Sequence, residues 1–245
     1  MEVETRPKTI KATIRERKEI AEGTMMITYD LRGEEVQFRP GQYFFITIPK
    51  LLYPDDRGNR RHFSIVNSPN EHGIITMATR WRASSGFKST LRDVPLGSEV
   101  EIGRIGCEFV LPDSNRRPIT FIAGGIGITP FISMLRYVRE EQLPYVITLL
   151  YSNRSRAAAA FFDELQEMDR AMPDFRLVLT MNRDEEWRGE KRTMDAQFIR
   201  DYVAEPNSQL FMIAGPPGMG EGMVKVLGQV GVEEGRVEVE RFTGY

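Results

Sequence analysis

Cysteine occurs once in the 245 residues, at Cys107, and histidine twice, at His62 and His72. A single thiol excludes an intramolecular disulfide and any iron–sulfur cluster ligated by this chain's own cysteines. The two histidines lack helical ligand spacing and no second motif completes a zinc site, so no metal is expected. No apolar run approaches the roughly 20 residues that a helix needs to cross a bilayer, and no membrane span is expected. Neither sign of charge dominates: 33 Lys and Arg stand against 35 Asp and Glu, a net charge of -2. That balance gives no global field for gathering nucleic acid or anionic lipid. The amino terminus, Met1-Glu2-Val3-Glu4-Thr5-Arg6-Pro7, is charged where a secretory signal would be apolar. The expected location is the cytoplasm.

Hydrophobic residues make up 41% and charged residues 28%, enough apolar material for globular cores in one large domain or two ordinary ones. The two halves have different rhythms. Between Thr9 and Pro112, short apolar runs (Thr24–Leu31, Tyr43–Ile48, Gly73–Arg80, Val100–Gly103) are separated by Gly and Pro, and Ala12 and Ile14 alternate with charged neighbours. That pattern predicts an antiparallel barrel or sandwich. From Pro118 the pattern becomes strand then helix. Ile119–Ala123, Val146–Tyr151, Phe175–Thr180 and Leu210–Ile213 are buried strands. Helices carry Phe131, Met134, Leu135 and Val138, then Phe162 and Leu165, then Ala196–Val203 and Met219–Val226, and Ala157–Ala160 is placed inside a helix. Repeated βα units predict a doubly wound parallel sheet. The breaker-rich stretch Pro112–Pro118 divides the chain into residues 1–113 and 114–245.

Three local patterns carry chemistry. Ala123-Gly124-Gly125-Ile126-Gly127-Ile128-Thr129-Pro130 follows a buried strand and opens a helix, where glycines admit a pyrophosphate to free N–H groups and a favourable dipole; alone, it is equally a tight turn. Arg61-His62-Phe63-Ser64 offers a phosphate partner, a flat apolar face and a short hydroxyl, or else an ordinary strand. Ala214-Gly215-Pro216-Pro217-Gly218-Met219 is a second strand-to-helix junction, or a breaker-rich turn. Their joint order removes the bland readings.

In that order the chain resembles the ferredoxin–NADP⁺ reductase family over nearly its whole length. Arg61-His62-Phe63-Ser64 is similar to the family's R-x-Y/F-S flavin motif, and Gly86-Phe87-Lys88-Ser89-Thr90-Leu91 to its second flavin-phosphate segment. Gly124–Pro130 resembles its nicotinamide-nucleotide loop, Ala214–Pro217 its C-G-P-P segment, and Glu240–Tyr245 the tail of its compact microbial members. The resemblance implies an FAD-binding β-barrel followed by an NAD(P)-binding α/β domain, and hydride transfer between nicotinamide and flavin N5. It implies that Arg61 neutralises the FAD pyrophosphate, that Phe63 packs on the flavin and that Ser64 bonds near N5, with His62 pointing away. Arg80, Gly86, Phe87, Lys88, Ser89 and Thr90 complete the phosphate cradle, partly through backbone N–H groups. Gly124, Gly125, Gly127 and Thr129 face the nucleotide phosphates, while Gly215 and Pro216 bound the nicotinamide. Glu240 is a polar neighbour of the nicotinamide, and Phe242 or Tyr245 stacks by the flavin.

Two positions depart from the family pattern. Phe63 replaces the common Tyr, and Ala214 replaces the Cys beside the nicotinamide. At the end of the second parallel strand, Ser152, Arg154 and Arg156 stand where a ribose-reading acid would sit, which points to NADPH over NADH. Trp187-Arg188-Gly189-Glu190 and Asp184-Glu185-Glu186 read as surface loops. With no cluster of its own, the chain requires a separate acceptor. From Arg57 to Arg92, seven basic residues face Glu71 alone, a rim suited to steering an acidic ferredoxin or flavodoxin. The same motifs would serve the reductase component of an oxygenase, a ferric or flavin reductase, or a nucleotide-binding electron-transfer subunit of a larger complex.

Overall fold

The computed structural model describes residues 9–113 and 117–241. Its first sheet is antiparallel: β1 (Ile10–Ala21), β2 (Thr24–Asp30), β3 (Tyr43–Thr47), β4 (Arg60–Ser64), β5 (Ile74–Arg80) and β6 (Glu99–Gly106), in the order β4-β3-β6-β1-β2-β5. Period-two patterning builds it. In β1, Ala12 and Ile14 are buried while Lys11 and Arg15 are exposed. The two edges return to each other just past β4. There the Val66 N–H donates to Thr76 O (2.8 Å) and the Thr76 N–H to Asn67 Oδ1 (2.8 Å). The sheet therefore curls into the expected barrel. A helix that the sequence reading did not foresee, α1 (Gly86–Asp93), packs Phe87 and Leu91 into the barrel core with Tyr29, Phe44 and Ile46. It is eight residues long and rich in weak helix formers, so burial and its Ser85 cap hold it rather than propensity.

The second sheet is parallel: β7 (Ile119–Gly124), β8 (Ile147–Asn153), β9 (Phe175–Met181), β10 (Leu210–Gly215) and β11 (Val237–Arg241), ordered β11-β10-β7-β8-β9. Phe131 and Leu135 of α2 (Thr129–Glu140) and Leu165 and Met168 of α3 (Phe162–Ala171) pack in one apolar cluster with Phe121 and Leu149. Phe198 and Ile199 of α4 (Ala196–Tyr202) and Met223 and Leu227 of α5 (Pro217–Gln229) join Ile122 and Leu150 in another. Helices thus cover both faces. The strand order reverses between β7 and β10, the point at whose carboxyl ends open α/β sheets form a crevice for ligands.

One expected helical stretch is not helical. Ala157–Ala160 runs through turns before α3, and Phe161, at φ 59°, sits in the left-handed region that precedes the helix. Its carbonyls face the barrel instead: Ala157 O accepts from the Glu22 N–H (2.7 Å) and Ala158 O from Arg80 Nη2 (3.2 Å). Other contacts also join the domains. Val66, Ala78, Phe109 and Leu111 lie in one apolar cluster with Phe121 and Phe131. Ser133 Oγ donates to Asn67 O (2.8 Å), and Arg136 binds Val66 O (3.3 Å) while pairing with Glu164 (2.7 and 3.0 Å). The expected boundary at 113/114 falls in the connection between β6 and β7. No described helix is long and apolar enough to cross a membrane, and no group of potential metal ligands occurs among the described residues.

Candidate cofactor and nucleotide site

Strand β4 turns alternate side chains to opposite faces. Phe63 stacks on Phe87 of α1, with centroids 6.2 Å apart and planes at 28°. His62 faces the other way, against Tyr43 (5.0 Å) and Phe45 (5.5 Å) of β3. Beside this strand a cavity of about 260 Å³ is bordered by Asp55, Arg57, Arg61, Arg82, Ser85 and Lys88. It shares His62, Phe63, Arg82 and Lys88 with a narrower space of about 60 Å³, where Ser64 and Arg80 of the barrel meet Ile126 and Thr129 of the second domain. A single cleft therefore runs from the cationic cavity, past Phe63 and Ser64, to the β7–α2 turn.

The charges in this cleft repel one another. Burial first, then the neighbouring Arg82, Arg57 and Arg61, draw the Lys88 ammonium down from its ordinary 10.5 to about 8. Four cations around one small cavity favour a polyanion, and the donor set suits the two phosphates of a dinucleotide. The backbone cradle expected at Lys88, Ser89 and Thr90 is closed, however. The Phe87 N–H is taken by Asp55 Oδ2 (2.9 Å), the Lys88 N–H by Ser85 Oγ (3.3 Å) and the Ser89 N–H by Ser85 O (2.9 Å). Thr90 is fully buried and its hydroxyl accepts from the Leu52 N–H (3.0 Å). Gly86 serves packing, since a Cβ there would lie 2.6 Å from the Tyr53 and Pro54 backbone. An incoming phosphate would meet side chains, those of Arg57, Arg82 and Lys88. Arg57, Arg82 and Ser85 border this cavity without having been expected as cofactor contacts; the basic run from Arg57 to Arg92 was a signal for the two arginines, and Ser85 had none. Arg61 is held by its own loop, Nη1 by the carbonyls of Arg57 (2.7 Å), Gly58 (3.1 Å) and Arg60 (2.7 Å) and Nη2 by Asp55.

On the other side of the cleft, Gly124, Gly125 and Gly127 leave the end of β7 beside Gly215 and Pro216, because Ala123 and Ala214 are in register between β7 and β10. Gly125 has φ 54°, in the left-handed region that glycine adopts without strain. The Arg80 guanidinium lies against it, Nη2 being 3.3 Å from where a Cβ would stand, and continues to Ala158 O. Arg80 therefore lies over the nucleotide turn and outside the lining of the cationic cavity where it was expected. At Gly127 a Cβ would lie 2.5 Å from the Ala214 carbonyl carbon and 2.6 Å from the Gly215 nitrogen, so the turn presses directly on β10. Glu240 is in register with Ala214, and burial pushes its carboxyl up to about 7. Cys107 has its thiol raised by its own burial and next by the charge of Glu240. Phe242 and Tyr245 lie outside the described residues.

A third cavity, of about 810 Å³, is bordered by Arg156, Phe162, Asp184, Trp187 and Arg188. Arg156 lies over the Phe162 ring at 4.8 Å and gives its backbone N–H to Asp184 Oδ2 (2.9 Å). Ser152 and Arg154 are not among the residues that border it. The loops read as surface loops lie at the surface and are internally bonded: Trp187 meets Phe162 edge-on at 6.0 Å, its Nε1 donates to Glu190 O (3.0 Å), and Asp184 also accepts from the Glu186 and Trp187 N–H groups.

Residues 121–225 match the oxidoreductase NAD-binding domain family. Among curated proteins, the chain is 32% identical over 215 residues to an NADPH oxidoreductase of Mycobacterium tuberculosis, covering 86% of this chain and 53% of that protein. It is 24% identical over 212 residues to the reductase component of propane 2-monooxygenase from Mycolicibacterium smegmatis, covering 84% and 59%. Among solved structures, an Amycolatopsis cytochrome P450 reductase superposes with a TM-score of 0.83 at 24% identity, covering 98% of this chain and 72% of that one. The chain spans little more than half the length of these curated relatives.

Proposed function

We propose that this chain, a ferredoxin reductase-like protein by fold with an oxidoreductase NAD-binding domain at residues 121–225, is an FAD-dependent NAD(P)H reductase that passes electrons to a separate acceptor. The continuous cleft carries the reading. It joins a cationic, phosphate-sized cavity to the strand-end crevice of the parallel sheet through Phe63, Ser64, Ile126 and Thr129. Bound FAD would supply two-electron uptake from the nicotinamide and one-electron release. The chain's own residues supply position and charge. Arg57, Arg82 and Lys88 neutralise the phosphates, Phe63 backed by Phe87 forms a flat wall, and the Ser64 hydroxyl serves the ring edge. On the nucleotide side, Gly124–Gly127 and Thr129 receive the pyrophosphate with Arg80 above them, and Gly215 and Pro216 bound the nicotinamide. Glu240 is positioned to hold or release a proton near neutral pH.

NADPH is the proposed donor. Arg156 and Arg188 both border the third cavity, and the chain is similar to an NADPH oxidoreductase. Ferredoxin or flavodoxin fits the basic rim. A second reading, the reductase component of an oxygenase, is favoured by the propane 2-monooxygenase component among the relatives. The test is direct. The purified chain should bind FAD, and anaerobic NADPH should bleach the flavin band while an artificial one-electron acceptor restores it. A chain that binds no FAD, or whose flavin neither nucleotide reduces, overturns the proposal.

A further inference from the structure

Asp55 is a buried carboxylate for which nothing above supplies a task. Its side chain is 6% exposed and that of Arg61 12%, so the pair is shielded from solvent despite lying at the wall of the cationic cavity. Both oxygens are fully engaged. Oδ1 accepts from the Arg57 N–H (3.0 Å) and from Arg61 Nη2; Oδ2 accepts from Ser85 Oγ (3.0 Å) and the Phe87 N–H (2.9 Å). These four bonds tie the loop before β4 and β4 itself to the first turn of α1, some 30 residues further along the chain. That turn contains no acidic residue of its own, so Asp55 supplies from outside the negative charge that a helix N-terminus favours. The surrounding packing leaves no slack, since α1 approaches this loop so closely at Gly86 that no side chain fits between them.

The geometry points to Asp55 as a positioning residue of the phosphate seat, fixing the Arg61 guanidinium and the start of α1 so that Arg57, Arg82 and Lys88 converge on one anion. This rests on the FAD reading above. Ordering a loop on binding costs affinity, and a carboxylate that has already tied the loop carrying Arg57 to Arg61 and to the start of α1 removes that cost beforehand. Burial works to raise the Asp55 carboxyl, but the N–H and hydroxyl donors and then the Arg61 charge hold it below the ordinary carboxylate range. It is therefore ionised wherever the protein would work, and it stays paired with Arg61. Asp55 belongs to the wall and does not compete with phosphate for the seat.

The test is a double-mutant cycle read by equilibrium FAD binding, with NADP⁺ affinity measured on the same preparations. Asp55→Asn keeps the shape and one acceptor but loses the charge, and should raise the FAD Kd about tenfold or more, the size of a charged hydrogen bond. NADP⁺ affinity should remain unchanged, which a general loss of structure would not permit. In an Arg61→Ala background the same substitution should have less than about a third of that effect, the non-additivity expected of groups acting as a unit. If Asp55→Asn cannot be purified, Asp55→Glu, which keeps the charge but displaces it from its four donors, should raise the Kd by a smaller factor that also shrinks in the Arg61→Ala background. Wild-type FAD affinity in Asp55→Asn, tighter binding there, or an undiminished effect without Arg61 would each overturn the inference. Failure of the wild-type chain to bind FAD is a separate result, and it strikes the FAD reading instead.

Discussion

Lys88 is the group whose titration most directly exposes the cationic cavity. Its ammonium is lowered from 10.5 to about 8 by burial and by Arg82, Arg57 and Arg61, a strain on the charged form of about 3 kcal/mol. In the unliganded protein the unfolded chain binds more protons between pH 8 and 10.5, so stability should rise across that window. FAD reverses the sign. Its phosphates offset the three arginines and return the lysine toward its ordinary value, so binding takes up a proton above pH 8. The association constant should therefore fall by up to about tenfold per pH unit from pH 8 upward. Lys88→Met keeps most of the volume and removes the charge. Its FAD affinity at pH 7 should be lower by about 1.5–3 kcal/mol and nearly flat to pH 10, and the alkaline gain in stability should vanish with it. Fluorescence titration of FAD from pH 6.5 to 10, paired with thermal melts of the FAD-free protein, measures both trends. A wild-type affinity that does not fall above pH 8, or a Lys88→Met protein that retains the same slope, refutes the assignment of the four-cation cavity to the phosphates.

Gly127→Ala should lower the melting temperature. Its Cβ meets backbone of β10 that cannot swing aside, and overpacking of this kind costs about 1–3 kcal/mol; a melt within a degree of wild type would show that the turn yields freely. Arg156→Ala with Arg188→Ala should reduce kcat/KM for NADPH far more than for NADH, because only NADPH carries a 2′-phosphate; equal losses would return both arginines to solvent-facing roles. Glu240, raised to about 7 by burial, binds an extra proton in the folded protein between its ordinary 4.5 and 7. It therefore costs stability increasingly as pH rises through that window, and the cost is fully present above it. Glu240→Gln should melt above wild type at pH 8 and match it at pH 4, and any kinetic inflection near pH 7 should disappear; identical melts at pH 8 would show the carboxyl to be solvated.

Which parts of this molecule could be read from residues follows from how local their causes are. The strands and most helices could be read because Ala12, Ile14, Phe131 and Leu135 report burial through simple periods, and the β7–α2 and β10–α5 junctions announce themselves through glycine and proline. The Ala157–Ala160 stretch misled because helix propensity is a weak prior, here outweighed by contacts from Glu22 and Arg80 that lie far away in sequence. Helix α1 was missed for the converse reason, a short helix held by Ser85, Asp55 and burial. The site was legible as an address and less so as a set of contacts. Motif positions placed Arg61, Phe63, Ser64 and Lys88 around one cleft. The sequence offered no sign that the N–H groups of Phe87 to Ser89 are already spent, that Arg80 reaches across to the β7–α2 turn, or that Asp55 braces the wall, and it showed Arg57 and Arg82 only as members of a basic run. Those depend on a loop folding back onto a helix some 30 residues later, which no periodicity records.

The apolar cluster that runs from Val66, Ala78, Phe109 and Leu111 into Phe121 and Phe131 bears on how two-domain chains of this fold can be recombined. Cutting the chain at the connection before β7 would separate two sheets that are each complete, yet it would lay bare one half of a common interior. Neither piece should survive well alone, because each would carry a greasy scar where the other had been. A grafted barrel, taken from any relative, would have to bring side chains of matching volume at these four positions. The unit of exchange in this protein is therefore a barrel together with its seam, and chimaeras designed only on the outlines of the domains should fail at that seam before their chemistry is ever tested.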